Sequence, residues 1–391
     1  MRRRKIAPAL SEFHLSRIEP YQIAVPQADL DDLRERLDRT RFPEDETVDG
    51  WVQGVPLSRM KDLVAYWRDG YDWRACEDLL NRHGQYRTTI DGLDVHFMHV
   101  RSRHENALPL VLTHGWPGSI LEFLDVIEPL TDPESHGGSA NEAFHLIIPS
   151  LPGYGFSGRP AEAGWGVERI ARAWAELVSR LGYDRFVAQG GDWGSAVTIQ
   201  LGRLAPDGLL GIHLNMLSAR PATLDEELDP DEVKAVEKLD HFQNVESAYA
   251  RLQATRPQTL GYLLADAPAG QAAWIYEKFQ RWSDCNGDPE TIFSRDRMLD
   301  NITLYWLTNT GASSARLYFE SMGSFRPITV DLPVGLSIFP KEIIQAPRKW
   351  AESVFSNIVY WNEPDRGGHF AAFEQPELFV NELRTCFARM R

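Results

Sequence analysis

From residue 108 onward the chain consists of short apolar runs set between amphipathic helices, and this alternation restricts its fold more than any other feature. The runs are LPLVLT (108–113), AFHLIIPS (143–150), RFVAQG (185–190), LLGIHLNML (209–217), VGLSIF (334–339) and NIVYW (357–361). They are apolar nearly throughout, as strands covered on both faces must be. The segment GVERIARAWAELVSRLG (166–182) places Val167, Ile170, Trp174, Leu177, Val178 and Leu181 on one helical stripe. Strands linked by whole helices run parallel, because a parallel neighbour is reached only by a long crossover. The pattern predicts an α/β fold with a mostly parallel, doubly covered sheet.

The alternation stops between 220 and 325, where segments such as AAWIYEKFQRW and ARLYFESMG read as helical and aromatic. A helical cap inserted into the α/β core is the expected result. Ahead of the core, ADLDDLRERLDRTRFP (28–43) carries Leu30, Leu33 and Leu37 on one face, with Pro43 as its stop. YRTTIDGLDVHFMHV (86–100) has Asp91-Gly92 between two β-rich runs, a two-residue hairpin signal, and its His99 reads as structural. The chain therefore divides into an N-terminal extension (1–105), a first core segment (106–219), a cap (220–325) and a second core segment (326–391).

Composition excludes several function classes. With 41 basic against 56 acidic residues the net charge is −15, which gives no general attraction to nucleic acid or an anionic membrane. Apolar residues make up 43% of the 391, enough for a large core. Three cysteines, Cys76, Cys285 and Cys386, are too few and too scattered for a disulfide framework or a zinc motif, so neither a metal nor an oxidising compartment is expected. The opening MRRRKIAPALSEF is basic but lacks the apolar run of a signal or membrane anchor. It reads as a frayed arm on a soluble, cytoplasmic protein.

The run RFVAQG leads into GGDWGS, a glycine-flanked strand-to-helix turn with Asp192 where many hydrolases carry a nucleophilic serine. Gly190, Gly194 and Ser195 are small enough for backbones to pass closely. Upstream, THGWPGS (113–119) closes the first parallel strand; amides in such a loop, with that of Trp193, suit a developing oxyanion. On this architecture the order is nucleophile, acid, histidine. His369, in DRGGHFAAFEQPELF, is the only histidine among the last 120 residues. The acid is expected after VGLSIF, where FPKE presents Glu342; Asp331, Glu363 and Asp365 compete for the role.

A carboxylate nucleophile selects its substrate. It is ionised at neutral pH and attacks a saturated carbon bearing a leaving group. The resulting enzyme ester is cleaved by water activated by histidine, whereas a serine ether would not be. The elbow thus points to the opening of a carbon–oxygen or carbon–halogen bond.

HGWPGS, GGDWGS, FPKE and RGGHFAAFEQPELF together resemble the motifs of the microsomal-type epoxide hydrolases of the α/β-hydrolase superfamily, and residues 28–57 resemble their N-terminal region. The resemblance extends over nearly the whole chain from about residue 17. It implies Asp192 as nucleophile, His369 as base and Glu342, 27 residues before it, as the orienting acid. It also implies acids at Tyr249 and Tyr318 in the cap, and backbone donors at Trp116 and Trp193, with His114, Gly115 and Pro117 as supporting residues. It further implies a small apolar or aromatic epoxide, no cofactor, work in detoxification or secondary metabolism, and a homodimer as one allowed assembly; the expected lack of a membrane anchor is a departure from the mammalian members, which carry a hydrophobic N-terminal one, and points to a soluble bacterial-type member. A haloalkane dehalogenase and a non-catalytic small-molecule receptor on the same fold remain as alternatives. The tyrosine pair separates the first of these from an epoxide hydrolase, because halide release needs no proton donor.

Overall fold

The computed structural model describes residues 17–217, 219, 227–324 and 328–391. The N-terminal arm read from MRRRKIAPALSEF, and the cap limits at 220 and 325, lie outside the described residues.

Among its described residues the N-terminal region supplies three α-helices, α1 (Gln27–Asp38), α2 (Leu57–Asp69) and α3 (Trp73–Asn81). α1 buries Leu30, Leu33 and Leu37 but ends five residues before Pro43. Its apolar stripe finishes at Leu37, so a further turn would have no core to pack on, and the Arg39 and Thr40 amides close back on Glu35 and Leu37. Asp72 caps α3 by accepting from the Arg74 amide at 3.0 Å.

Among the described residues nine strands form one sheet: β1 (Glu19–Pro20), β2 (Gln85–Ile90), β3 (Leu93–Val100), β4 (Leu108–Thr113), β5 (Phe144–Pro149), β6 (Phe186–Gly190), β7 (Leu209–Leu214), β8 (Val334–Ser337) and β9 (Ile358–Asn362). Their spatial order is β1-β2-β3-β5-β4-β6-β7-β8-β9. β1, β2, β3 and β5 pair antiparallel in turn, and β5-β4-β6-β7-β8-β9 is parallel throughout. Asp91 and Gly92 both take positive φ (50° and 79°), the conformation a two-residue hairpin needs. His99 Nε2 lies 2.9 Å from the Tyr183 hydroxyl, a structural contact.

Every residue of β4, β5, β6 and β8 is buried, whichever face it points to. This is the physical basis of their nearly uninterrupted apolar sequences. Helices α4 (Leu124–Thr131), α5 (Val167–Arg180) and α6 (Asp192–Leu204) follow in chain order and pack on the sheet.

Among the described residues, six α-helices lie between the two core segments: α7 (Pro230–His241), α8 (Ala248–Thr255), α9 (Pro257–Asp266), α10 (Pro268–Trp282), α11 (Arg295–Leu307) and α12 (Gly311–Ser321). Proline opens α7, α9 and α10, where its missing N–H costs nothing. α11 also anchors the N-terminal region: Trp67 Nε1 donates to Thr303 Oγ1 at 2.9 Å and Tyr71 Oη to Asp300 Oδ1 at 2.8 Å. The chain ends with α13 (Arg348–Glu352), α14 (Ala371–Glu374) and α15 (Pro376–Phe387), the last packed against α4. No helix among the described residues is long and apolar enough to cross a membrane.

Candidate active site

The turn between β6 and α6 places Asp192 at φ 49°, a left-handed conformation that Asp tolerates better than most residues. The turn is tight enough to exclude side chains at three positions. A Cβ on Gly190 would lie 2.1 Å from Gly194 O, one on Gly194 1.9 Å from Thr113 O, and one on Gly115 2.1 Å from Asp192 Oδ1. Gly194→Ala is therefore expected to destabilise the protein by about 3 kcal/mol, the upper end of overpacking costs. Gly270, whose added Cβ would meet only Ala267 Cβ at 3.5 Å, is the control and should be neutral on substitution by Ala. Urea unfolding reads both, and equal stability of the two variants would contradict the close approach.

The two carboxylate oxygens of Asp192 face different partners. The Trp116 amide donates to Oδ1 at 2.7 Å, and His369 Nε2 lies 3.5 Å from Oδ2. Trp193 follows directly in the first turn of α6. On its other side, His369 Nδ1 is 2.7 Å from Glu342 Oε1, which also accepts from the Ile343 amide at 2.6 Å. Burial opposes charge on the imidazole, but Glu342 and Asp192 together outweigh it and hold the group well above its usual range. The loops after β8 and β9 meet where the Lys341 amide donates to Gly367 O at 3.1 Å, and this contact brings Glu342 to His369. Asp331, Glu363 and Asp365 are exposed and bonded to Ser356, Trp361 and Arg366 respectively.

The HGWPGS loop is held from both sides. The Leu151 amide donates to His114 Nε2 at 3.1 Å, leaving Nδ1–H for Gly115 O at 2.9 Å, and burial pushes the ring down to about 4. His114 is thus a neutral clamp. From α11, Asn301 Nδ2 donates to Pro117 O at 2.7 Å and Asn301 Oδ1 accepts from Ser119 Oγ at 2.8 Å, while Tyr305 Oη donates to Gly118 O at 2.8 Å.

The cap brings Tyr249 (α8) and Tyr318 (α12) over this loop, their rings 5.9 Å apart. Trp116 stacks on Tyr249 at 5.1 Å and meets Tyr318 edge-on at 5.9 Å; Trp193 contacts Tyr318 at 4.7 Å. Burial first, with further negative charge from Asp192, raises both phenols well above 10, so each keeps its proton.

Several supporting residues went unrecognised in the sequence. Trp282 O accepts from the His369 amide at 2.8 Å, and Glu374 accepts from the Phe370 and Asp284 amides at 2.9 Å each. Lys278 Nζ sits 4.5 Å from the Tyr249 ring. Asn301, Tyr305 and Trp282 lie within ordinary helical patterns, and nothing local marks them; only their opposition across the fold does.

This fold and site define a hydrolase of the α/β-hydrolase fold whose elbow presents a carboxylate. A family model described as alpha/beta hydrolase fold matches residues 109–245, and one described as epoxide hydrolase N terminus matches residues 18–123. The chain is 60% identical to a Stigmatella aurantiaca protein provisionally named an epoxide hydrolase, with 96% of this chain and 86% of that one aligned. It is 35% identical to epoxide hydrolase 1 of Sus scrofa, over 94% and 88% of the two chains. The juvenile hormone epoxide hydrolase of Bombyx mori superposes with a TM-score of 0.88 at 30% identity, over 96% of this chain and 95% of that one. The chain belongs to the epoxide hydrolase family, whose general mechanism passes through a covalent aspartyl ester.

Proposed function

We propose that this chain converts a small apolar or aromatic epoxide and water into a vicinal diol, with Asp192 as nucleophile, His369 as base, Glu342 as its orienting acid, and Tyr249 and Tyr318 as proton donors. The observation that carries this reading is the division of labour at Asp192, whose Oδ1 is held by the Trp116 amide while Oδ2 faces His369 beneath two neutral phenols. In the first step Oδ2 attacks a ring carbon, the carbon–oxygen bond breaks, and the emerging alkoxide takes a proton from a tyrosine. Oδ1 becomes the ester carbonyl oxygen, already bonded to Trp116 N–H, with the Trp193 amide as second donor.

Esterification removes the Asp192 charge, one of the two anions that hold His369 protonated. The imidazolium then passes its proton to the tyrosinate left by ring opening and becomes the base for the second step. Water gives a proton to Nε2 and attacks Cγ; the Cγ–O(alkyl) bond breaks and the diol leaves with the proton from the imidazolium. The water oxygen remains on Asp192, and the proton of the new carboxyl passes to His369, which restores the starting charge states. Tyrosines suited to protonating an alkoxide favour this over dehalogenation, and turnover of styrene oxide against halide release from 1-bromobutane decides between them.

The division at 1–105, 106–219, 220–325 and 326–391 belongs to the same proposal. The extension docks on α11 through Trp67 and Tyr71, and α11 in turn holds the Trp116 loop through Asn301 and Tyr305. A cytoplasmic setting accords with three buried free cysteines. Homodimer formation is read by light scattering.

Glu342→Gln tests the acid. Holding the imidazole matters most when His369 gains a proton, in ester hydrolysis. The expected result is a fall in the hydrolysis rate constant greater than that in alkylation, with ester accumulating in rapid-quench experiments. Asp331→Asn, Glu363→Gln and Asp365→Asn should leave the ratio of the two constants at the wild-type value. Accumulation in one of these three instead would move the acid to that position.

A further inference from the structure

We propose that Glu122 holds the attacking water of ester hydrolysis, in a one-water chamber that it shares with Asp192 and His369. The inference rests on the two-step reading above and adds a positioning residue to its second step.

Glu122 lies in the short turn Ile120–Phe123, directly after the Ser119 cap of the HGWPGS loop. Its side chain folds back over that loop: a Cβ on Gly118 would fall 1.3 Å from Glu122 Oε1 and 2.5 Å from Cδ. Asp192 occupies the same relation to Gly115, three residues earlier. Two glycines of one loop thus each make room for a carboxyl group.

Glu122, Asp192, His369, Gln189 and Asn215 all line a cavity of about 20 Å³ beneath the nucleophile. That volume accommodates one water and no substrate. The polar lining can supply the several hydrogen bonds a buried water needs. Gln189 Nε2 is used by Asn215 at 2.7 Å, but Gln189 Oε1 has no hydrogen-bond partner among the described residues, leaving a second acceptor beside Glu122.

Glu122 keeps partial exposure at its surface, yet burial of the carboxyl raises it to about 8, with His369 lowering it and Asp192 raising it. In the free enzyme a neutral Glu122 adds no anion beside Asp192. Esterification removes the Asp192 charge that raises Glu122, while deprotonation of His369 removes the larger effect that lowers it, so Glu122 stays neutral and accepts from water through its carbonyl oxygen. One water hydrogen then goes to Glu122 Oε and the other to His369 Nε2, leaving a lone pair for Asp192 Cγ. Only the second hydrogen is transferred, so Glu122 ends the step in the state in which it began it.

The test is single-turnover rapid quench with styrene oxide on Glu122→Ala, Glu122→Gln and Gly118→Ala. Alkylation should stay within about threefold of wild type in all three, while hydrolysis falls about 30- to 100-fold in Glu122→Ala, so that ester accumulates. Glu122→Gln keeps an acceptor oxygen and should recover most of the hydrolysis rate, a rescue that a purely structural role at the loop would not predict. Gly118→Ala displaces the carboxyl and should resemble Glu122→Ala. If Glu122→Ala does not fold, hydrolysis in Glu122→Gln decides between the outcomes when compared with Glu122→Leu. Unchanged hydrolysis without the carboxyl, or alkylation slowed as much as hydrolysis, overturns the inference. Failure of the underlying reading looks different: no ester on the Asp192 peptide in any variant.

Discussion

In His369→Gln, an epoxide should alkylate Asp192 at close to the wild-type rate and then remain attached. In the proposed mechanism the first step is attack by the Asp192 carboxylate and needs no base. The second needs His369 to take a proton from water, and losing a positioned general base costs about 100- to 10,000-fold. Gln fills a similar volume, so Glu342 and the Trp282 carbonyl keep the loop in place. Intact-protein mass spectrometry after mixing with styrene oxide should show one adduct of substrate mass, and peptide mapping should place it on Asp192. Slow turnover with no adduct would contradict the covalent route through Asp192.

Tyr249→Phe combined with Tyr318→Phe should nearly abolish ring opening. Each single change removes one oriented donor and is expected to slow alkylation by about 10- to 1,000-fold. The single variants retain one phenol 5.9 Å, ring to ring, from the lost one, so the double change should cost far more than either. Because Phe preserves the stacking with Trp116 and the edge contact with Trp193, folding should be unaffected. The two variant types block different steps: the double Phe variant should show no adduct, whereas His369→Gln accumulates it. Wild-type kcat/KM on an epoxide in the double variant would remove both tyrosines from the mechanism, and halide release retained there would favour the dehalogenase reading.

Legibility differed from element to element for physical reasons. β4, β5, β6 and β8 were plain in the sequence because burial on both faces favours apolar residues at nearly every position. The hairpin was plain because Asp91-Gly92 supplies two positive φ values. α1 was placed correctly at its start and too long at its end, since the stop came from the loss of a packing surface after Leu37 rather than from Pro43. Asp192 stood out through the glycines its turn requires, and His369 through the scarcity of histidine around it. Glu342 needed the strand order as well, because four carboxylates competed and only topology brings one beside His369.

Sequence alone therefore determined the α/β alternation, the inserted helical segment and a carboxylate elbow with its chemical preference for a saturated carbon. These are local properties: a residue's period, its size or its ionisation at neutral pH can be read without knowing its neighbours in space. Tertiary structure alone decided which amide holds Asp192 Oδ1, why Asn301 and Tyr305 support a loop about 180 residues earlier, and that Glu122 shares a chamber with Asp192 and His369. It also decided the charge states, because the rise at His369 and at Glu122 depends on the balance of burial against particular neighbouring charges. Such balances belong to three-dimensional proximity, which residues far apart along a chain acquire only when the sheet, cap and loops have packed together.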